Sequence, residues 1–255
     1  MVYRVKKSEI VAPLFKGWEE TLIYSCLQGV MGKVYADSIE MPSSAMAILG
    51  DFCFFAGKPN KELILYTPEF SKKDFMIFVP QDEQWAKMIQ NCHGKNVRRV
   101  IRYATKKETV FDIDHLSRAV EGLPEKYTLQ MMDEQLFMKC KEIEWCRDWV
   151  SQYFDYEMYK KYGMGVIILE NNEPISGASS YSGYHGGIEI EIDTKEEYRR
   201  KGLAYISGAK LILECLKRGW YPSWDAQNRW SLSLAEKLGY EFAYEYLAYE
   251  IWYDC

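Results

Sequence analysis

The run from Ile188 to Ala204 constrains this chain more than any other feature. Ile188, Ile190 and Ile192 alternate with Glu189, Glu191 and Asp193, the period of a strand with one apolar and one acidic face. The chain then turns through Arg199-Arg200-Lys201-Gly202-Leu203-Ala204 into a run with Leu203, Ile206, Ala209, Leu213 and Leu216 at helical spacing. A strand that feeds a helix through such a turn exposes the backbone N–H groups of the first helical turn and builds an anion site. Gly202 lets backbone approach a ligand closely, Ala204 leaves room beside it, and the three basic side chains add charge suited to phosphate. The alternative is a basic surface turn capped by Gly202, because a short glycine motif is weak evidence on its own.

Composition narrows the classes. At 255 residues, 48% hydrophobic and 27% charged, the chain is long enough for one large domain or two ordinary ones with a real core. A formal net charge of -5 argues against broad attraction to nucleic acid or to an anionic membrane. No long uncharged run and no signal-peptide pattern is visible. The 7 cysteines are odd in number and include no CxxC pair, which reads as reduced thiols in a cytoplasmic protein. His93, His115 and His185 are too scattered for a metal site.

Periodicity predicts a mixed α/β chain. Pro13–Val30 reads as a helix, Ala45–Ala56 as a strand, Leu63–Tyr66 as a second strand after the turn at 57–60, Phe75–Val79 as a third and Asp82–Cys92 as a helix. Val97–Ala104 alternates, and the pattern dissolves between Thr105 and Pro124, which places a smaller N-terminal α+β domain at 1–110 and a second domain at 120–255. In the second half Tyr127–Met132 reads as a strand and Asp133–Tyr162 as one long, aromatic-rich helical region. Gly165–Glu170 and Ile175–Tyr181 read as a hairpin, and the glycine-rich stretch 183–187 as a turn. A helix over Gly202–Gly219, a strand over Tyr221–Ala226, a helix over Asn228–Leu238 and a strand over Phe242–Tyr253 complete a mixed sheet.

A second segment sharpens the first. Arg199-x-x-Gly202-x-Ala204 with its apolar helix, followed by Asn228…Ser231…Leu234…Lys237-x-Gly239-Tyr240, resembles the GNAT N-acetyltransferase superfamily over about Tyr127 to Trp252. More narrowly, Pro222-Ser223-Trp224-Asp225-Ala226-Gln227-Asn228 resembles a bacterial branch that includes the zwittermicin-resistance acetyltransferases. The resemblance implies a GNAT acyl-CoA N-acyltransferase fold with acetyl-CoA as cosubstrate. Backbone of Ile192, Asp193 and Thr194 would pair with the pantetheine arm. Amides from Arg199, Arg200, Lys201, Gly202, Leu203 and Ala204 would hold the pyrophosphate. Asn228 and Ser231 would meet the cofactor where two parallel strands part. Asn228 also suits a helix N-cap, and both roles can hold at once.

The acidic face of the strand over 188–194 is either a solvated outer face or a place for a general base. Glu189 or Glu191 would take the proton an acceptor ammonium must lose before it attacks a thioester. Many family members carry a tyrosine directly after the position of Leu234, where this chain has Ala235. Ser231, Ser233, Tyr205, Tyr240 or water stand as donors to the departing thiolate. The aromatic stretch from Trp145 to Tyr159 reads either as core or as the border of the acceptor site, where Asp148, Asp155 and Glu157 would hold a cation. The expected activity is acetyl transfer to a primary amine of a small molecule, with neither nucleic acid nor membrane as partner and a homodimer left open. The rivals are a CoA-binding sensor without catalysis, an interaction module, and an acyl- or aminoacyltransferase on a tandem GNAT fold. The last agrees with the strand–strand–strand–helix order of the N-terminal domain, which hints at a degenerate copy.

Overall fold

The computed structural model describes residues 1–68 and 74–253. The chain is mixed α/β with two sheets and divides into two units: Met1–Arg102 together with the chain from Glu245 on, and Tyr103–Tyr244. Residues from Glu245 onward, assigned from sequence to the second domain, group with the first. The reason is a strand ladder, in which Tyr249–Trp252 pairs antiparallel with Phe75–Phe78. Among the described residues no helix is long and apolar enough to cross a membrane.

Unit 1 carries β1 (Tyr3–Arg4), β2 (Lys33–Ala36), β3 (Ser44–Leu49), β4 (Phe52–Gly57) and β5 (Phe75–Pro80), in that order across the sheet. The pairs β1–β2, β2–β3 and β3–β4 are antiparallel; β4–β5 is parallel. Helices α1 (Thr21–Leu27), α2 (Lys61–Ile64) and α3 (Glu83–His93) complete it. Phe55, Phe78 and Trp85 meet in its core, and the Trp85 indole donates to Gly57 O at 2.8 Å.

Three expectations fail here, each for a local reason. Pro13–Val30 is not one helix, because Gly17 takes φ +80° and breaks it after a 3-10 turn. The apolar run 45–56 is a hairpin, folded at Gly50 with φ +60°. Leu63–Ile64 is helical rather than extended, because the Asn60 carboxamide accepts from Glu62 N and Leu63 N and caps a short turn.

Unit 2 begins with the last residues of β6 (Val97–Thr105) and then α4 (Ile113–Glu121), a helix within the stretch where the sequence pattern dissolves. Its signals were legible: Asp112 accepts from His115 N as cap, and Leu116, Ala119 and Val120 share the face that joins the core. A five-stranded sheet follows in the order β11 (Tyr221–Ser223), β10 (Gly187–Thr194), β9 (Glu173–Tyr184), β8 (Gly165–Glu170), β7 (Thr128–Met131). The aromatic region 133–162 is not one helix but α5 (Glu134–Glu142), a 3-10 segment over Glu144–Trp149 and α6 (Tyr156–Tyr162). Asp133 and Asp155 each cap a fresh start.

Helix α7 (Leu203–Lys217) packs on one face of this sheet, where Ile188 and Ile190 meet Ala209 and Ile212. The other face takes Trp149, which lies so close over Gly177 that a Cβ there would sit 2.9 Å from the indole. Tyr153 donates to Ser180 Oγ at 2.8 Å, and the Tyr159 and Ser179 hydroxyls also lie 2.8 Å apart. Trp149, Tyr153 and Tyr159 are therefore core, as one of the two readings had it; Phe154 is 85% exposed. The stretch read as one strand over 221–226 is split. After β11 the chain leaves the sheet, and β12 (Asp225–Ala226) pairs antiparallel with Tyr103–Ala104 of β6. Helix α8 (Arg229–Lys237) follows, and β13 (Phe242–Trp252) crosses from unit 2 into unit 1 along the chain.

Close packing makes one glycine diagnostic. A Cβ at Gly183 would lie 1.9 Å from the Tyr162 carbonyl oxygen, so backbone would have to move. Gly183→Ala is expected to lower stability by about 2 kcal/mol in denaturant unfolding, the range for overpacking against an unyielding neighbour.

Candidate functional site

Strand β10 runs parallel to β11 only from Gly187 to Glu189, where Glu189 faces Ser223. From Ile190 to Thr194 it pairs only with β9 on its other side among the described residues. The departure of β11 has a visible cause. Trp224 is buried, its indole donates to Ser231 Oγ at 3.1 Å, and its carbonyl accepts from Thr105 Oγ1 at 2.6 Å. Held on both sides, Trp224 turns the chain toward β6. The fork leaves one edge of β10 open to any ligand that can pair with backbone.

A groove of about 1160 Å³ opens along this edge, between Ile192–Thr194, the turn before α7 and one face of α8. Its α7 wall ends in a helix start of an unusual kind. Asp112, Asp133, Asp155 and Asn228 cap α4, α5, α6 and α8 with side-chain oxygens. Helix α7 has Gly202 at the N-cap and no side-chain cap. Its first amides therefore retain their donor capacity and the partial positive charge of the helix end. Gly202 sits at φ +78°, and Arg200 takes φ +62° just before it. A Cβ on Gly202 would meet nothing within 4 Å, so the glycine is required by backbone conformation rather than by space.

The basic residues of the turn divide their work. Arg199 Nε donates to Thr194 O at 3.1 Å and its Nη2 lies 3.8 Å from Asp193 Oδ1, which ties the turn to the end of β10. Lys201 is not among the groove-lining residues; its Nζ sits 4.5 Å from the centroid of the Tyr198 ring. Tyr198 in turn donates to Glu170, which Lys126 also approaches, and that hydrogen bond holds the Glu170 carboxyl below its ordinary range. Arg200 lines the groove and makes no ion pair or hydrogen bond among the described residues. Asp193 is raised by burial and by the nearby Asp148, while the Thr194 amide and Arg199 pull it down. It is the one acid on a groove wall that carries Arg199, Arg200 and Lys237.

The remaining expected cofactor contacts also reach the groove. Ile192, Thr194, Leu203 and Ala204 line it. Asn228 lines it while its Oδ1 accepts from Trp230 N and Ser231 N at 2.9 and 3.0 Å, so the helix cap is also part of the groove wall. Ser231 lines it with its oxygen engaged by Trp224. Helices α7 and α8 close together at Gly208, where a Cβ would lie 2.9 Å from Leu238 Cδ1.

The two glutamates lie outside the groove lining. Glu189 is 4% exposed and stands in register between Ser182 of β9 and Ser223 of β11; Glu191 is half-buried opposite Ser179. The face bearing Glu189 is thus not a solvated one. Lys107 Nζ donates to Ser223 Oγ at 2.9 Å, a cation that sequence reading missed because it falls in the stretch read as a linker. Glu189 also contributes to the raised pKa of Tyr240, for which burial is the main cause. Tyr240 donates to Pro222 O and is 3% exposed, so it does not reach the groove, whereas Tyr205 does. Groove residues missed from sequence are His115, Tyr198, Gln227 and Trp230. Trp230 was legible as the fourth member of the α8 stripe with Ser231, Leu234 and Lys237. Among the described residues no cluster of potential metal ligands occurs.

The residues fit a long, phosphate-bearing, amide-rich ligand: an uncapped helix start, an open strand edge and a cationic surplus lie along one groove. Asn228→Ala is expected to cost about 1 kcal/mol in denaturant unfolding, the loss of a cap.

Comparison with known proteins bears on this geometry. A family model described as GNAT acetyltransferase matches residues 12–249. The chain is similar to the Uncharacterized N-acetyltransferase YdfB of Bacillus subtilis (strain 168), with 27% identity over 241 residues, 90% of this chain and 89% of that protein. It is similar to the crystal structure of a GCN5-related N-acetyltransferase-like protein from Streptococcus suis 89/1591, with 45% identity, a TM-score of 0.92 and coverage of 97% and 99% of the two chains. A tandem GNAT protein from the clavulanic acid biosynthesis pathway shares the fold at 9% identity, with a TM-score of 0.56 over 99% of this chain and 98% of its own.

Proposed function

The chain belongs to the GNAT acetyltransferase family, and from that premise we propose that it transfers an acetyl group from acetyl-CoA to a primary amine in a ternary complex. The observation that carries the donor side is the uncapped start of α7 facing the open edge of β10 across one groove. The pyrophosphate takes the amides from Gly202 on, and the pantetheine arm lies along Ile192–Thr194 as an added strand would. Arg200 supplies side-chain charge, while Arg199 and Lys201 hold the turn in shape.

Glu189 is the better candidate for the base. It is the last residue of β10 paired with β11, so it stands at the fork where the thioester end of the arm arrives. The carboxylate receives a proton from the acceptor ammonium, directly or through water, and the freed lone pair attacks the thioester carbonyl. The C–S bond then breaks, the nitrogen gives up its second proton to solvent so that the neutral amide remains, and the thiolate takes a proton from solvent, since Ala235 is buried in the core and Tyr240 is engaged with Pro222. Holding the two reactants together supplies much of the acceleration. The likeness of residues 222–228 to the zwittermicin-resistance acetyltransferases favours an antibiotic-type amine among acceptors.

Two variants test this reading. Gly202→Ala forces an L-residue into the left-handed region at about 1–2 kcal/mol, so CoA affinity in calorimetry is expected to fall about tenfold. Glu189→Gln is expected to leave that affinity intact and to lower the rate of thiol release with an amine panel, most at low pH where the amine is protonated. Glu191→Gln is expected to lower it less. CoA binding without turnover on any amine would replace the enzyme by a CoA sensor, and absence of CoA binding would sink the reading altogether.

A further inference from the structure

Away from the groove, one cation of unit 2 turns toward the buried acid of β10. Lys107 lies in the loop after β6, between the exposed Lys106 and Glu108, yet it is half-buried and donates inward to Ser223 Oγ at 2.9 Å. Hydrogen bonds strap this loop down on both sides of the lysine. Thr105 Oγ1 donates to Trp224 O at 2.6 Å, Lys106 N donates to Glu241 O at 2.9 Å, and the Tyr221 hydroxyl donates to Lys106 O at 2.7 Å. Thr109 is hydrogen-bonded to Tyr221 as well. A lysine left in water keeps its side-chain entropy, so one drawn onto a buried serine needs a compensating charge nearby.

That charge is Glu189. Ser182, Glu189 and Ser223 stand side by side on three strands, on the face away from Ile188 and α7. Neighbouring strands lie about 4.8 Å apart, so the hydroxyl that anchors Lys107 is the carboxylate's neighbour. Glu189 is almost wholly buried and both serines fully so; their hydroxyls supply hydrogen bonds but no charge. Tyr221 registers both ions: burial raises its hydroxyl, Lys107 draws it down and Glu189 pushes it up. Also facing this corner are the phenols of Tyr184 and Tyr240, with the Glu191 carboxyl two residues along β10. Burial favours a neutral carboxyl, which cannot act as a base, and a cation beside it reverses that preference. Resting on Glu189 as the base, we propose that Lys107 is its positioning residue: from its anchor on Ser223, the ammonium holds the buried carboxylate in the charged form that takes the acceptor's proton.

The Glu189 carboxyl can be titrated by NMR on the full chain carrying isotope-labelled glutamate, with its signal identified by its loss in Glu189→Gln. Neither cofactor nor acceptor is needed. Lys107→Met is expected to raise the Glu189 midpoint by about one pH unit or more, the effect of losing an opposite charge at this range. Lys107→Arg is expected to hold the native midpoint, because it keeps the charge. The rate of thiol release should follow: with Lys107→Met its acid limb moves up in pH by the same shift, and the rate recovers above it. A lysine that only braced the loop would lower the rate equally at every pH and leave the midpoint in place. Thermal unfolding checks each variant, and Lys107→Gln serves the same comparison should Lys107→Met fail to fold. An unchanged Glu189 midpoint on loss of the lysine charge overturns the proposal while Glu189 stands as the base. A Glu189→Gln chain that keeps the native rate removes the base reading, and the role proposed for Lys107 with it, whatever the midpoint does.

Discussion

The site depends on the point at which β10 and β11 stop pairing. Three residues of parallel ladder, ending at Glu189 and Ser223, are enough to join the strands; beyond them the backbone of β10 has one side open. A buried tryptophan enforces the separation. Trp224 is held by Ser231 and Thr105 through two hydrogen bonds made away from β10, and the chain after it pairs with β6 instead of continuing the ladder with β10. Once the strands part, the groove edge, the place of Glu189 and the start of α8 follow.

The turn before α7 achieves its effect by leaving groups unsatisfied. Most helices here begin with an aspartate or asparagine that consumes the first amides. At α7 a glycine stands in that position, and the surrounding side chains stabilise the turn from outside. Arg199 holds it to β10, and the Tyr198–Glu170–Lys126 network with Lys201 holds it to β8. A left-handed arginine and a left-handed glycine are tolerated because these contacts fix the chain on either side.

Unit 1 repeats the topology without the chemistry. There too an antiparallel meander, β2–β3–β4, leads into a parallel strand through a helix. That helix has four residues, and Asn60 occupies the amides of Glu62 and Leu63, so its start is capped where that of α7 is not. The hint of a degenerate copy in the sequence agrees with this order of strands and with the shared fold of a tandem GNAT protein.

The sequence was most legible where local periodicity and side-chain chemistry coincide. The alternation of 188–194, the apolar stripe of α7 and the Asn228 cap each follow from residues within a few positions of one another, and they appear as read. It was least legible where one residue breaks a favourable run: Gly17, Gly50 and Asp155 each divide what periodicity alone would extend. Burial of Glu189, the ties of the Arg199 side chain to Thr194 and of Lys201 to the Tyr198 ring, and the meeting of His115 with Tyr205 ninety residues away could not be read at all. Local sequence alone specified a strand, a basic glycine turn and two helices in the order the groove uses. Which of those groups face the groove depends on long-range packing, because strand register and helix packing are set by distant residues such as Trp224 and Gly208.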